Sequence, residues 1–82
     1  MFTYLRRLND LDKSYLAVAL ANVGVKARIR KFPRSFRICF EGNQALVLSV
    51  LNSEGYRNAA GQEFSRFSFN QPHEIFVHGN IS

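Results

Sequence analysis

The sequence predicts an α+β fold in the order helix, strand, strand, repeated once, (αββ)2. Three observations carry that expectation: apolar residues recur at helical steps ahead of Gly24 and again ahead of Gly55, two strand-like runs follow each glycine, and a proline, Pro33 or Pro72, breaks each pair of runs. The simplest arrangement is one four-stranded antiparallel sheet with both helices on one face, because an amphipathic helix must bury its stripe against something.

The first helix is expected over residues 10–23, from Leu11, Tyr15, Leu16, Val18, Ala19, Leu20 and Val23. Asn9 or Asp10 can cap it, Asp10 and Asp12 suit the positive end of its dipole, and Gly24 supplies a left-handed stop. Residues 3–8 fit either an extension of this helix or an irregular arm. The second helix is expected from a cap at Asn43, through Ala45, Leu46, Val47, Val50 and Leu51, to Gly55. The strands are expected over 26–32 with 35–40, and over 63–69 with 74–78. The two helix ends match in sequence, Leu20-x-x-x-Gly24-Val25-Lys26 against Leu51-x-x-x-Gly55-Tyr56-Arg57, which hints at an internal duplication. This order is a circular permutation of the ferredoxin-like topology, a likeness of topology that carries no function with it.

Eighty-two residues make one domain, residues 1–82, and 46% hydrophobic with 21% charged residues is ordinary globular usage rather than the composition of a disordered chain. The single cysteine, Cys39, excludes an internal disulfide and a thiolate metal cluster. Asn9, Asp10 and Asp12 stand where a signal peptide would carry its apolar run, so a cytoplasmic protein is expected. No apolar stretch approaches the roughly 18 to 20 residues of a membrane span.

The net charge is +5, and its placement says more than its size. Residues 26–40, KARIRKFPRSFRICF, hold six of the eleven Lys and Arg and none of the six acids. A clustered positive field favours a polyanionic partner. With Pro33-Arg34 as a two-residue turn, Phe32 faces Ser35, Arg30 faces Arg37 and Arg28 faces Cys39 on one side of the hairpin. Lys31 with Phe36, Ile29 with Ile38 and Ala27 with Phe40 occupy the other, which is the core side. Alternation of this kind is in part the ordinary mark of a half-buried strand. The outer side is not ordinary, since Lys26, Arg28, Arg30 and Arg37 share it, and Arg30 opposite Arg37 is unfavourable unless an anion, or an acid from another strand, lies between them. Arginine's planar fork also matches phosphate better than lysine does.

For the second hairpin a three-residue turn near Pro72 keeps the apolar set together, with Phe67, Phe69, Ile75 and Val77 toward the helices and Phe64, Arg66, Phe76 and His78 outward. The expected open face thus carries Lys26, Arg28, Arg30, Phe32, Arg37, Phe64, Arg66, Phe76 and His78, with Arg34 at the turn. Guanidinium groups contact phosphates and aromatic rings stack bases, so a non-catalytic protein that binds single-stranded RNA or DNA is expected. The rivals are a sheet-face homodimer, its arginines paired with Glu63 or Glu74 of the partner, and an accessory or inhibitory protein that grips the acidic surface of a larger enzyme. Neither a cofactor nor a metal is expected. Cys39 with His78 would make a thiolate-imidazole pair only if their strands were neighbours, and His73 and His78 lack further ligands. The loop at Asn58-Ala59-Ala60-Gly61-Gln62 reads as a connection, and the tail from Gly79 is expected to fray.

Overall fold

The computed structural model describes residues 5–81, and among them are two helices and five strands in two antiparallel sheets. Helix α1 spans Asp10–Asn22 and α2 spans Gln44–Ser53; the strands are β1 (Lys26–Phe32), β2 (Ser35–Glu41), β3 (Tyr56–Arg57), β4 (Glu74–Val77) and β5 (Gly79–Asn80). The larger sheet has the order β1-β2-β4, and the smaller pairs β3 with β5.

Both helices begin where their capping residues stand. The Asn9 side chain accepts from the Asp12 N–H at 2.9 Å while the Asp12 carboxylate accepts from the Asn9 N–H at 2.8 Å, a complete capping box. At α2 the Asn43 side chain accepts from the Ala45 N–H at 2.8 Å. Gly24 and Gly55 follow the helix ends with φ of +81° and +83°, a conformation costly for any residue with a Cβ. The matched helix ends therefore share a local structure: Leu20 and Leu51 are fully buried, and Val25 and Tyr56 are buried where each chain leaves its helix.

The first hairpin has the expected register throughout, Phe32 across from Ser35, Arg30 from Arg37, Arg28 from Cys39 and Ile29 from Ile38. Its inner side meets both helices. Leu16 and Leu20 of α1, Val47 and Leu51 of α2, Phe36 and Ile38 of β2, and Ile75 and Val77 of β4 are all buried in one cluster. Each such side chain contributes about 1.5 to 3 kcal/mol by leaving water, before the loss of conformational entropy is set against it.

The second hairpin does not form. Residues 63–69 carry no strand, and β4 pairs with β2 alone, placing Phe36 across from Val77, Arg37 from Phe76, Ile38 from Ile75 and Cys39 from Glu74. The larger sheet accordingly has three strands rather than four, in the order β1-β2-β4, and the four-stranded sheet of the permuted ferredoxin-like arrangement is left without the strand expected at 63–69. The physical reason is that residues 58–68 find hydrogen-bond partners outside any sheet. The Asn52 side chain, at the end of α2, accepts from the Phe64 N–H at 2.8 Å and donates to the Phe64 carbonyl at 2.9 Å, serving as a strand partner in miniature.

The tail does not fray before residue 81. Gly79 and Asn80 are buried in β5, and the Ile81 N–H donates to the Gly55 carbonyl at 2.9 Å. On the other side of β5 lies the N-terminal arm, where the Arg6 N–H donates to the Asn80 carbonyl at 2.9 Å. Residues 5–8 are thus an arm, not an extension of α1; residues 3 and 4 lie outside the described residues. The arm is held by a fork from Arg6 to the buried Asp12, 2.6 and 2.8 Å long. That ion pair holds the Asp12 carboxyl below the usual carboxylate range, against the opposing effect of burial. Burial pushes the Tyr56 hydroxyl up to about 12, and it donates to the Asp12 backbone carbonyl at 3.2 Å. Among the described residues no helix is long and apolar enough to cross a membrane.

Candidate nucleic-acid interface

Alternation along β1 turns Lys26, Arg28 and Arg30 to the outer side of the sheet, away from the helices, and all three are exposed. None of them forms an ion pair among the described residues. Phe32 is partly exposed at the end of the strand, with the Arg30 guanidinium 5.5 Å from the centre of its ring. Arg34 is exposed in the turn that follows.

Arg37 stands across from Arg30, and an acid from a third strand resolves the like-charge pairing. Glu74 of β4 accepts from Arg37 Nε at 2.7 Å and meets Nη2 at 2.6 Å. The same carboxylate takes the Asn70 amide and lies 3.5 Å from Cys39 Sγ. Hydrogen bonds from Asn70 and then from Arg37 hold Glu74 below the usual carboxylate range, although burial acts against them. Glu74 in turn raises the Arg37 guanidinium further above its already high value. Arg37 is therefore a half-buried ion-pair partner rather than a free cation of the face.

The outer side is less purely basic than the sequence suggested. Four cations share it with two acids, since Glu41 stands across from Lys26 and Glu74 lies between the strands. Both acids sit away from the turn end of the sheet, beside Lys26 and Arg28, and the positive charge without a neighbouring acid is consequently that of Arg30 and Arg34. The signal for Glu74 was present in the chain: the alternation that turns Phe76 outward turns Glu74 outward as well.

Of the residues expected from the second hairpin, Phe76 is on the outer side, half-buried and across from Arg37. Phe64 is not; it is buried in the core, where Asn52 holds its backbone. Arg66 is not on the sheet either, but in a turn of the 58–73 connection, its guanidinium 4.8 Å from the Phe67 ring. Phe67, expected to face the helices, is 80% exposed, whereas Phe69 packs on the core with its ring 5.6 Å from that of Phe40. Ile75 and Val77 face the helices as expected.

His78 is exposed just beyond β4, its N–H donating to the Arg57 carbonyl at 3.0 Å. The register keeps it from Cys39. Cys39 stands across from Glu74, four residues before His78, a separation of about 13 Å along the strand. The thiolate-imidazole pair does not assemble. His73 packs edge-on against Phe40 at 5.5 Å, and among the described residues no three potential metal ligands gather.

Two hollows flank this face. One of about 810 Å³, lined in part by Lys26, Arg28, Glu41, His73 and Glu74, mixes both signs of charge. The other, of about 360 Å³, lies at the turn end and includes Arg7, Arg34 and His78 with no acid in its lining. Nothing in the sequence near Arg7 marks it as part of this surface, because no local signal shows that the arm folds back beside the β1–β2 turn. No protein-family model, curated protein or solved structure matches this chain.

Proposed function

We propose that the protein binds single-stranded nucleic acid, without catalysis, by laying the phosphates of the strand along the outer side of β1. The observation that supports this most is the row of Lys26, Arg28 and Arg30, exposed at alternate positions about 7 Å apart and without ion pairs among the described residues. Phe32 beside Arg30 offers one stacking ring and Phe76 part of another. With Phe64 in the core, contact is led by phosphate rather than by base stacking, so affinity should fall steeply with salt and depend little on sequence.

The experiment is fluorescence anisotropy of labelled single-stranded RNA and DNA at about 50 and 200 mM salt. Saturable, salt-sensitive binding is expected, and Arg28→Glu with Arg30→Glu should abolish it while circular dichroism stays unchanged. Arg37 is left intact, because a glutamate there would face Glu74 and confuse loss of binding with loss of fold. Absence of binding at the lower salt sinks this reading. A partner with an acidic protein surface would compete with nucleic acid for the same side chains.

A second reading, self-association, is favoured by another surface. Leu11, Tyr15 and Val18 lie one above another on the outer side of α1, 59%, 65% and 59% exposed, opposite the buried Leu16 and Leu20. A helix apolar on both sides is unusual for a surface element. A two-fold pairing of sheet faces would set Arg28 and Arg30 of one copy against those of the other, whereas the charged residues of α1, Asp10, Asp12 and Lys13, all lie off the Leu11–Tyr15–Val18 stripe. A dimer would therefore form through α1, and Tyr15→Glu would lower its sedimentation coefficient to that of a single chain.

A further inference from the structure

We infer that the cleft at the turn end of the sheet is a seat for the terminal phosphate monoester of a nucleic-acid strand, an inference that rests on the nucleic-acid reading of β1. Three separate parts of the chain build it: Arg7 comes from the arm, Arg34 from the β1–β2 turn, and His78 from the junction between β4 and β5. Arg6 also reaches the cleft, but its guanidinium is engaged by Asp12. Arg7 and Arg34 form no ion pair among the described residues. Leu5 and Leu8 supply apolar walls, and a cleft lined by one sign of charge beside low-dielectric walls focuses its field on whatever anion enters.

The cleft is held in place before any ligand arrives. Backbone hydrogen bonds of 2.9 and 3.4 Å join Arg6 to Asn80, and the Arg6–Asp12 fork anchors the same residue from its side chain. Between them the arm presses on Gly79 so closely that a Cβ there would stand 2.8 Å from Leu5 Cβ. A glycine is thus required for the arm to seat beside His78.

Position and charge select the ligand. The strand β1 runs from Lys26 toward the turn, so a phosphate backbone that follows Lys26, Arg28 and Arg30 arrives at Arg34. A volume of about 360 Å³ is at the small end of ligand pockets and suits a phosphate with part of its sugar. A terminal monoester carries about −1.5 to −2 charge near neutral pH, more than an internal diester, and gains more from converging cations.

The test uses one single-stranded DNA sequence in three forms, with a 5′-phosphate, with a 3′-phosphate, or with hydroxyls at both ends, each labelled away from the end compared. One phosphorylated form should bind about tenfold more tightly than the hydroxyl form. Arg7→Ala with Arg34→Ala should remove that difference, while the hydroxyl form still binds in a salt-sensitive way through β1. Equal affinity of all three forms overturns the cleft inference and leaves the β1 reading standing. Binding by none of them overturns both. If adenosine monophosphate competes as strongly as the phosphorylated strand, the cleft is a mononucleotide site, and the strand-end assignment fails.

Discussion

Residues 26–41 and residues 58–77 each set aromatic side chains between polar ones around a proline turn, yet only the first forms a ladder with itself; the second makes a single bridge, Gln71 to Glu74. In the first, Ile29, Phe36, Ile38 and Phe40 supply β-branched or aromatic groups to one side, and few intervening residues carry side chains that bond their own backbone. In the second the intervening residues include Ser65, Ser68 and Asn70. The Ser65 N–H donates to Ser68 Oγ at 2.9 Å, and the Phe67 N–H donates to Ser65 Oγ at 3.3 Å. Asn58 Oδ1 accepts from both the Ala60 and Gln62 N–H groups at 2.9 Å, and Asn52 takes both backbone groups of Phe64. A segment whose backbone is satisfied locally has no need of a ladder. Hydrophobic period says where side chains are drawn, whereas hydrogen-bond demand decides which strands pair.

Removing a core side chain from the paired region should have the largest effect. Ile38 is fully buried in the central strand, between Ile29 and Ile75, and Ile38→Ala should cost about 2 to 5 kcal/mol, read as a lower urea midpoint. An unchanged midpoint would mean that β2 is not the centre of the core.

Asn52→Ala tests the side chain that stands in for a strand. It leaves the Phe64 N–H and carbonyl without partners and should cost about 1 to 3 kcal/mol. Amide exchange at Phe64 should quicken far more than exchange at Ile38. Uniform change across both would show that 58–68 is not a separate local structure.

A smaller, pH-dependent loss should come from the arm. The Asp12 carboxyl titrates lower in the folded chain than in the unfolded one, so its contribution is complete above the usual carboxylate range near 4 and is lost as the pH falls through its folded value. Urea midpoints measured from about pH 6 downward should fall, and Asp12→Asn should start lower and fall less. Parallel curves for the two proteins would remove Asp12 from that account.

The smallest effect is the most diagnostic. Were 63–69 a strand, Phe67 and Phe69 would share a side and matter alike. Instead Phe67→Ser should change stability by less than about 0.5 kcal/mol, and Phe69→Ser by about 1 to 2 kcal/mol, because only Phe69 packs on Phe40. Equal costs in thermal melts would restore the second hairpin.

Much of the candidate site was legible because a two-residue turn fixes a hairpin's register and period two then assigns every side chain to a face. Lys26, Arg28, Arg30, Phe32 and Arg34 needed nothing more. Phe76 was also placed rightly, since Ile75 and Val77 must face the core. Phe64 and Arg66 were misplaced together, because both assignments depended on a strand that Asn52 makes unnecessary.

What the sequence determined by itself is the set of features whose causes lie within a few residues: the capped starts of both helices, the left-handed glycines that end them, the β1–β2 hairpin and the positive charge on its outer side. Only the tertiary structure decided that residues 63–69 stay out of the sheet, that Glu74 neutralises Arg37, and that the arm brings Arg7 beside Arg34 and His78. Those outcomes are competitions between distant segments for the same backbone groups and the same buried space, and each is settled by which pairing satisfies more of both at once.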